Sequence, residues 1–436
     1  MRSTSTSAPR AAPGRGGSGP AAATERGVLG HVARAAALGV ALTLVAAALL
    51  TYGLYVRRIG YPFFALSDTV KYYQYASAMA GGLRPYVDFP AEYPPLAFPL
   101  FSLAGAPPLG LEAYSHRFAA LMFAVTALCG GVAAATAARL WPEGRRAHAA
   151  AAAFAVAVLA AGAIVANRYD AAVALVVAAA VLLLVERRHW PAALVLGIGF
   201  ALKLVPAVLL PLVLVLAADR RAIAWAGLAF AATAAAPFAP YLPQGAAGLA
   251  EVFLFHGARP LQVESVLATP FFAASLAGGP AVPIARGFGS QYVALDTADA
   301  IARASPAIAL AALGAAYLAI WRRRAALRSR PEAVPVAVTA VLLAFLASGK
   351  VLSPQFFVWL LPCVALVLPR RAALGAAVLA CLALAQVEFP AMYVSLLRGG
   401  KLAALVLVLR NLVLLAAFAL AVREVWRLDD GRAASR

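Results

Sequence analysis

The chain is a succession of long apolar runs, separated by short turns in which arginine is concentrated. A single crossing of a bilayer takes roughly 20 apolar residues in a helix. Inside hydrocarbon every backbone N–H and C=O must be satisfied within the spanning structure, which leaves helices or closed barrels. The runs here are continuous and do not alternate apolar with polar residues, so a barrel is excluded. Hydrophobic residues make up 64% of the 436, against roughly 45–50% in an ordinary soluble domain. The expected architecture is an all-α polytopic membrane protein, a bundle of about 11–12 transmembrane or re-entrant helices.

The runs can be threaded through a membrane in order. Spans are expected at 33–56, 114–140, 149–166, 171–185, 222–240, 303–320, 334–347, 355–368, 373–389 and 402–422. The run at 190–217 is long for one crossing and ends at Asp219, Arg220 and Arg221. Pro206 sits near its middle, where proline removes a donor and clashes with the preceding turn. The run therefore reads as a helical hairpin with Lys203 at its tip, allowed at depth only if protein or water surrounds it. Residues 1–27 are rich in Ser, Gly, Pro, Ala and Arg and are expected to form a disordered cytoplasmic tail. Residues 28–427 form the membrane domain, with large outer loops at about 57–112 and 241–302. Residues 428–436 form a second cytoplasmic tail.

Net charge is +19, from 37 Lys+Arg against 18 Asp+Glu. Such an excess can mark a nucleic-acid-binding surface. Here most of it lies in the short turns between apolar runs, as the positive-inside rule expects, so no nucleic-acid partner is implied. The threading puts most arginines inside and all four lysines (Lys71, Lys203, Lys350 and Lys401) outside. Arginine outnumbers lysine and alanine is abundant, a usage suited to a high-GC genome such as an actinobacterial one. Cys129, Cys363 and Cys381 lie inside apolar runs, with neither disulfide nor metal spacing.

Ionisable groups in or beside a membrane are costly and usually functional. The polar residues gather in four clusters that the threading puts on one face. The first holds Asp68, Asp88, Glu92 and Tyr93. Asp68 stands at the start of an expected short helix, where a carboxylate can serve as general base toward a sugar hydroxyl. Its structural alternatives are helix N-cap, a role Ser67 also suits, and ion pair with Lys71. Asp88 and Glu92 suit structural or acceptor-binding roles. The second cluster is Asn167-Arg168-Tyr169-Asp170, where Arg168 can pair with Asp170, joined by Lys203 from the hairpin. The third runs from His256 through Arg259, Gln262 and Glu264 to Ser265, and leads into an apolar segment of interfacial or re-entrant character at 266–276. The fourth is Lys350 with Ser353-Pro354-Gln355. Ser353 and Pro354 suit a helix start whose free amides favour phosphate. Phe356, Phe357 and Trp359 behind it can face a lipid tail or act as interface residues.

Cations converging from several segments can hold a phosphate and stabilise it as a leaving group. Arg168, Lys203, His256, Arg259 and Lys350 are the candidates. Asp170, Gln262, Glu264, Ser353 and Gln355 are candidate sugar or acceptor contacts beside Asp88, Glu92 and Tyr93. His256 is also a candidate proton carrier. The sequence contains no phosphate-binding GxxxxGK[ST] loop, no HExxH, no GxSxG, no CxxC, and no Asp-x-Asp near Asp68. Neither a metal nor a cofactor is expected.

Over roughly residues 35–425 the chain resembles the polytopic GT-C glycosyltransferases, most closely glycosyltransferase family 87. The resemblance rests on Asp68 after the first span and on the Gly-x-x-Pro-Tyr-x-Asp segment from Gly82 to Asp88. It continues through Glu92-Tyr93-Pro94-Pro95-Leu96-Ala97, Asn167-Arg168-Tyr169-Asp170 and Ala201-Leu202-Lys203-Leu204-Val205-Pro206. It ends with His256, Arg259, Gln262, Glu264-Ser265, Lys350 and Ser353-Pro354-Gln355. The resemblance implies an inverting hexosyltransferase acting on the extracytoplasmic face of the cell membrane, and the threading leaves both termini cytoplasmic. Its donor would be a polyprenyl-phosphate sugar, mannose first and arabinofuranose next, and its acceptor a lipid or cell-envelope glycan. Asp68 matches the family's catalytic base. Broken spans and buried cations would equally suit a transporter or flippase of a lipid-linked sugar. The absence of an internal repeat and the gathering of charge at one face favour the transferase.

Overall fold

The computed structural model describes residues 20–53 and 67–429. The expected tail at 1–27 falls largely outside these residues, as do the start of the loop at 57–112 and most of the tail at 428–436. The first half is helical: α1 (Pro20–Thr51), α2 (Thr69–Ala80), α3 (Ala97–Leu103), α4 (Leu111–Leu140), α5 (Arg145–Ala161), α6 (Ile164–Asn167) and α7 (Asp170–Val185). A broken hairpin follows, α8 (His189–Leu202), a 3-10 turn Val205–Leu209 and α9 (Leu210–Leu216). Next come α10 (Arg220–Ala235), α11 (Leu242–Ala258) and α12 (Thr269–Leu276). An antiparallel β-hairpin of β1 (Ile284–Gly287) and β2 (Ser290–Val293) is the one sheet among the described residues. The chain ends with α13 (Asp296–Arg322), α14 (Arg324–Ser329), α15 (Val334–Ser348), α16 (Leu361–Val367), α17 (Ala372–Gln386), α18 (Tyr393–Leu397) and α19 (Lys401–Trp426).

Among the described residues six helical segments are long and apolar enough to cross a membrane, and a seventh crossing arises if the bent pair α10 and α11 counts as one. Shorter apolar helices supply the rest, as expected of an all-α polytopic membrane protein. Burial ranks the spans. The segment around α15 is 83% buried and forms the centre, whereas α13 at 22% and α1 at 28% lie outside. Small residues make the close packing possible: α5 is largely alanine and buries Ala147, Ala150, Ala153 and Ala157 against α1 and α4.

Three expectations are refined. The run at 190–217 is a hairpin, broken where Lys203 adopts extended backbone (φ −160°, ψ 120°). Its arms touch because Gly199 has no side chain: a Cβ there would lie 2.9 Å from Pro206. The expected loop at 241–302 is mostly ordered, because α11 is apolar and continues α10 across a 42° bend. Residues 266–276 form a 3-10 turn and α12, which packs on α19.

One end of the bundle is defined by arginine. Arg139 at the end of α4 meets Glu186 after α7 (3.4 Å), Arg371 before α17 meets Glu424 of α19 (3.2 Å), and Arg370 meets Glu332 (3.9 Å). Trp190, Trp225, Trp321 and Trp426 are exposed at the same helix ends, in the manner of an interfacial aromatic belt.

At the opposite end α17 stops in a π-turn, Val387–Ala391, and places Glu388 against Arg410 of α19 at 2.9 Å, with both side chains fully buried. Arg410 also binds the carbonyl of Glu264, and Asn411 donates to the carbonyl of Ser265 (3.2 Å) and to Thr269 (2.8 Å). The pair thus clamps the 264–269 segment onto α17 and α19. Removing one partner of a buried pair strands the other. Arg410→Ala should lower stability in detergent by about 3–5 kcal/mol, and the double change Glu388→Gln, Arg410→Met should recover much of it. A thermal melt of Arg410→Ala identical to wild type would show that the clamp carries no stability.

Candidate active site

The site is assembled at the end of the bundle away from the arginine-rich turns. Asp68 immediately precedes α2. Ser67 takes over the cap: its hydroxyl accepts from the Thr69 amide at 3.1 Å, and Thr69 in turn receives the Ser115 hydroxyl from α4 at 3.2 Å. Asp68 makes no cap hydrogen bond. Nor does it bind Lys71, which pairs with Glu92. Relieved of both structural roles, the Asp68 carboxylate is one-third exposed and faces Arg168, whose Nε lies 3.0 Å from Oδ2.

Arg168 is buried in the short connection between α6 and α7. Its Nε also donates to Gln355 Oε1 at 2.8 Å, and its Nη1 to the Asn167 carbonyl at 3.2 Å. The sequence allowed Arg168 to pair with Asp170; the structure gives it Asp68 instead. Asp170, the first residue of α7 and wholly buried, accepts from Lys203 at 2.6 Å and from the Trp359 indole at 2.7 Å, both on Oδ1. Lys203 lies 4.7 Å from the Tyr169 ring centre, 5.1 Å from Phe356 and 5.4 Å from Trp359. An aromatic cage of this kind compensates the desolvated ammonium. Phe357 and Trp359, weighed above as lipid-facing residues, are buried core, and Phe356 stacks on Trp359.

The first loop is docked by the break in α8: the Leu96 amide donates to the Ala201 carbonyl at 2.9 Å. It is also docked by α11, where Gly248 lets the Tyr86 carbonyl approach so closely that a Cβ would lie 2.2 Å from it. Glu92 receives the Tyr75 hydroxyl at 2.8 Å. Tyr93 packs edge-on to Tyr72 (5.9 Å) and Tyr169 (5.6 Å). Burial, with Tyr72, Asp68 and Glu92 nearby, raises the Tyr93 phenol well above its ordinary range. His256, in the last turn of α11, and Arg259, just after it, lie within electrostatic reach of the site: the charges acting on His256 include Arg259, Lys203 and Glu92, and those acting on Arg259 include Glu264, Glu92 and Asp68, while Arg259 Nη2 donates to the Ser290 hydroxyl at 2.9 Å. Burial pushes the Arg259 guanidinium down from its usual value, and these carboxylates pull it back up.

A second wall joins the loop after α11 to the turn after α15. The Gln262 amide donates to the Lys350 carbonyl at 3.0 Å, the Leu352 amide to Gln262 Oε1 at 3.0 Å, and the Ser265 hydroxyl to the Gly349 carbonyl at 2.7 Å. The Gln262 side chain donates to Glu264, whose carboxyl is raised by burial and by Glu388, with Arg410 opposing. Lys350 Nζ donates to the Gly257 carbonyl, and burial and Arg259 lower its pKa. Ser353 starts a helix as expected, but a 3-10 one (Pro354–Leu360), and its hydroxyl caps nothing.

Most candidate residues therefore meet: Asp68, Arg168 and Gln355 directly, Asp170 with Lys203, and Glu92, Tyr93, His256, Arg259 and Glu264 around them. Asp88 stands apart, exposed and bound to Arg84 at 3.3 Å, and the Arg84 amide and side chain lower its carboxyl pKa. Sequence reasoning assigned no role to Tyr72, Glu388 or Arg410, and read Trp359 as a lipid-facing or interface residue rather than as a partner of Asp170. The signal for Glu388 and Arg410 was a carboxylate and an arginine inside apolar spans. Among the described residues the Tyr72 hydroxyl is buried with no hydrogen-bond partner, its ring stacked on Phe101 at 4.2 Å, and Asp68 and Arg168 act on it. Asp170 Oδ2 and Arg259 Nε are likewise buried without partners. Donors and an acceptor left open around one exposed carboxylate are the inventory of a polar ligand site.

The fold is that of a polytopic membrane protein that gathers its buried and half-buried charges at one end of the bundle. The model of glycosyltransferase family 87 matches residues 92–354, well over half of the chain, and the protein belongs to that family. It is a membrane glycosyltransferase. Asp68 lies before the matched stretch, and Glu388 and Arg410 lie after it. No curated protein matches the chain.

Tyr72→Phe removes an unsatisfied hydroxyl and should leave stability unchanged or raise it by ~1 kcal/mol. Lys203→Met strands Asp170 and should cost about 3–5 kcal/mol. Thermal denaturation of the purified variants distinguishes them; a destabilised Tyr72→Phe would mean the hydroxyl has a structural partner.

Proposed function

We propose that the protein transfers a sugar, mannose first among candidates, from a polyprenyl-phosphate donor to a lipid or cell-envelope glycan acceptor on the extracytoplasmic face. Asp68 is the general base. The observation that carries this reading is the accessible Asp68 carboxylate set against Arg168, with Lys203 and Arg259 close enough to act on it. A base beside several cations suits a reaction in which a proton leaves the acceptor while a phosphate departs.

Asp68 takes the acceptor hydroxyl proton, and the oxygen attacks the anomeric carbon from the face opposite the phosphate. The bond between anomeric carbon and phosphate oxygen breaks, and polyprenyl phosphate leaves with the electron pair. The configuration inverts. Arg168, Arg259, His256 and Lys350 stabilise the departing charge. Lys203 is already neutralised by Asp170, so its main contribution is to hold the Asn167–Asp170 turn and thereby aim Arg168. Glu92, Tyr93, Gln262, Glu264 and Gln355 supply hydrogen bonds to sugar or acceptor. Arg168 turns from Asp68 to the donor phosphate, which leaves Asp68 Oδ2 open to the acceptor hydroxyl. The gathering of charge at one end of the bundle, rather than at mid-depth, supports transfer over transport.

Asp68→Asn should reduce sugar transfer by about 10²–10⁴-fold with donor binding retained, whereas Arg168→Gln should weaken donor binding. The measurement is transfer from a labelled polyprenyl-phosphate sugar in membranes containing each variant. Full activity in a folded Asp68→Asn protein would remove Asp68 from the mechanism.

A further inference from the structure

The arginine-rich end holds a cavity of about 120 Å³ between the end of α7, the start of α8, the end of α9 and α14. Its walls include Leu184, Leu216 and Leu327, and its rim carries Arg187, His189 and Arg328. Both guanidinium groups are close enough to His189 to lower its pKa, after burial, which is the larger cause. Arg328 is held in place by the last carbonyls of the hairpin: Nη2 lies 2.7 Å from those of both Val215 and Ala217.

Arg187 is held differently. It occupies the left-handed position after α7 (φ +59°), where the Arg188 amide returns to the Leu183 carbonyl at 2.7 Å. That position favours glycine. An arginine there carries backbone strain, so its side chain is what the position supplies. The neighbouring acid is already engaged, Glu186 being shared by Arg139 at 3.4 Å and Arg188 at 3.8 Å. Among the described residues neither Arg187 nor Arg328 lies within 4.0 Å of a carboxylate. Trp190, 55% exposed, stands beside the rim, at the level where indole rings meet lipid headgroups.

We propose that this cavity is a binding site for an anionic phospholipid, its phosphodiester against Arg187, Arg328 and His189 and its glycerol and upper acyl carbons against the leucine wall. The uncompensated cations select a net negative headgroup; a choline headgroup would bring its own cation up to them. The apolar wall selects a lipid over a free phosphate, which could use only the rim. Basic pockets between membrane helices bind anionic headgroups on this physical ground.

The test uses the full chain, purified and exchanged into mixed micelles with phosphatidylglycerol or phosphatidylcholine of identical acyl chains. Retained lipid is counted by native mass spectrometry. Arg187→Gly removes the cation and relaxes the backbone, so it should melt no lower than wild type in phosphatidylcholine. Wild type should retain phosphatidylglycerol about fivefold over phosphatidylcholine, and Arg187→Gly should lose most of that preference. The proposal is overturned if wild type shows no preference, if Arg187→Gly keeps it, or if Arg187→Gly melts below wild type. Displacement of the lipid by glycerol 3-phosphate would overturn it too, by making the cavity a site for a soluble phosphate.

Discussion

The buried ion pair between Lys203 and Asp170 is the constraint on which the rest of the site depends. A charge so far from water is tolerable only when paired and hydrogen-bonded, and Asp170 collects both Lys203 and the Trp359 indole on one oxygen. Three segments are joined by that oxygen: the start of α7, the break between α8 and α9, and the 3-10 turn after α15. Once they meet, the residue before Tyr169 has one place to go. Arg168 must lie beside Gln355 and opposite Asp68. The ion pair is thus what holds these three segments together.

A second buried pair, Arg410 with Glu388, does the same for the other wall. It fixes the backbone at Glu264 and Ser265, which carries Gln262, and Gln262 is tied to the turn at Lys350. The catalytic candidates thus sit on irregular segments, while the charges that hold those segments sit on helix ends and in spans. This division is what a membrane site requires, since non-helical backbone near hydrocarbon must be buried in protein. It also leaves Asp68 on a helix start capped by Ser67, so that its carboxylate, one-third exposed, is engaged by Arg168 and not by the helix.

The fold was legible because hydrocarbon enforces helices, and run length with arginine placement reveals where they turn. The broken hairpin was legible from Pro206 and Lys203 alone. The convergence of Asp68, Arg168, Lys203 and Gln355 followed from threading, because alternating spans bring their connections to one side. Partner choice was not legible. Lys71 could pair with Asp68 three residues away or with Glu92 across a loop, and only the packing of that loop on α8 and α11 decides. The helix α11 within 241–302 was not legible, because the polar cluster after it outweighed its apolar character. Trp359 was ambiguous because an aromatic in an apolar run serves a lipid face and a core equally well.

In the proposed reaction Asp68 and the surrounding cations work on opposite sides of one anomeric carbon, the carboxylate on the attacking hydroxyl and the cations on the departing phosphate. The most direct measurement is a structure of the protein with a non-hydrolysable polyprenyl-phosphate sugar bound. Phosphate oxygens should lie on Arg168 or Arg259, with Asp68 released from Arg168 and its carboxylate within ~3.5 Å of the position from which an acceptor oxygen attacks. A phosphate seated among the arginine-rich turns, or a sugar out of reach of Asp68, would contradict this reaction.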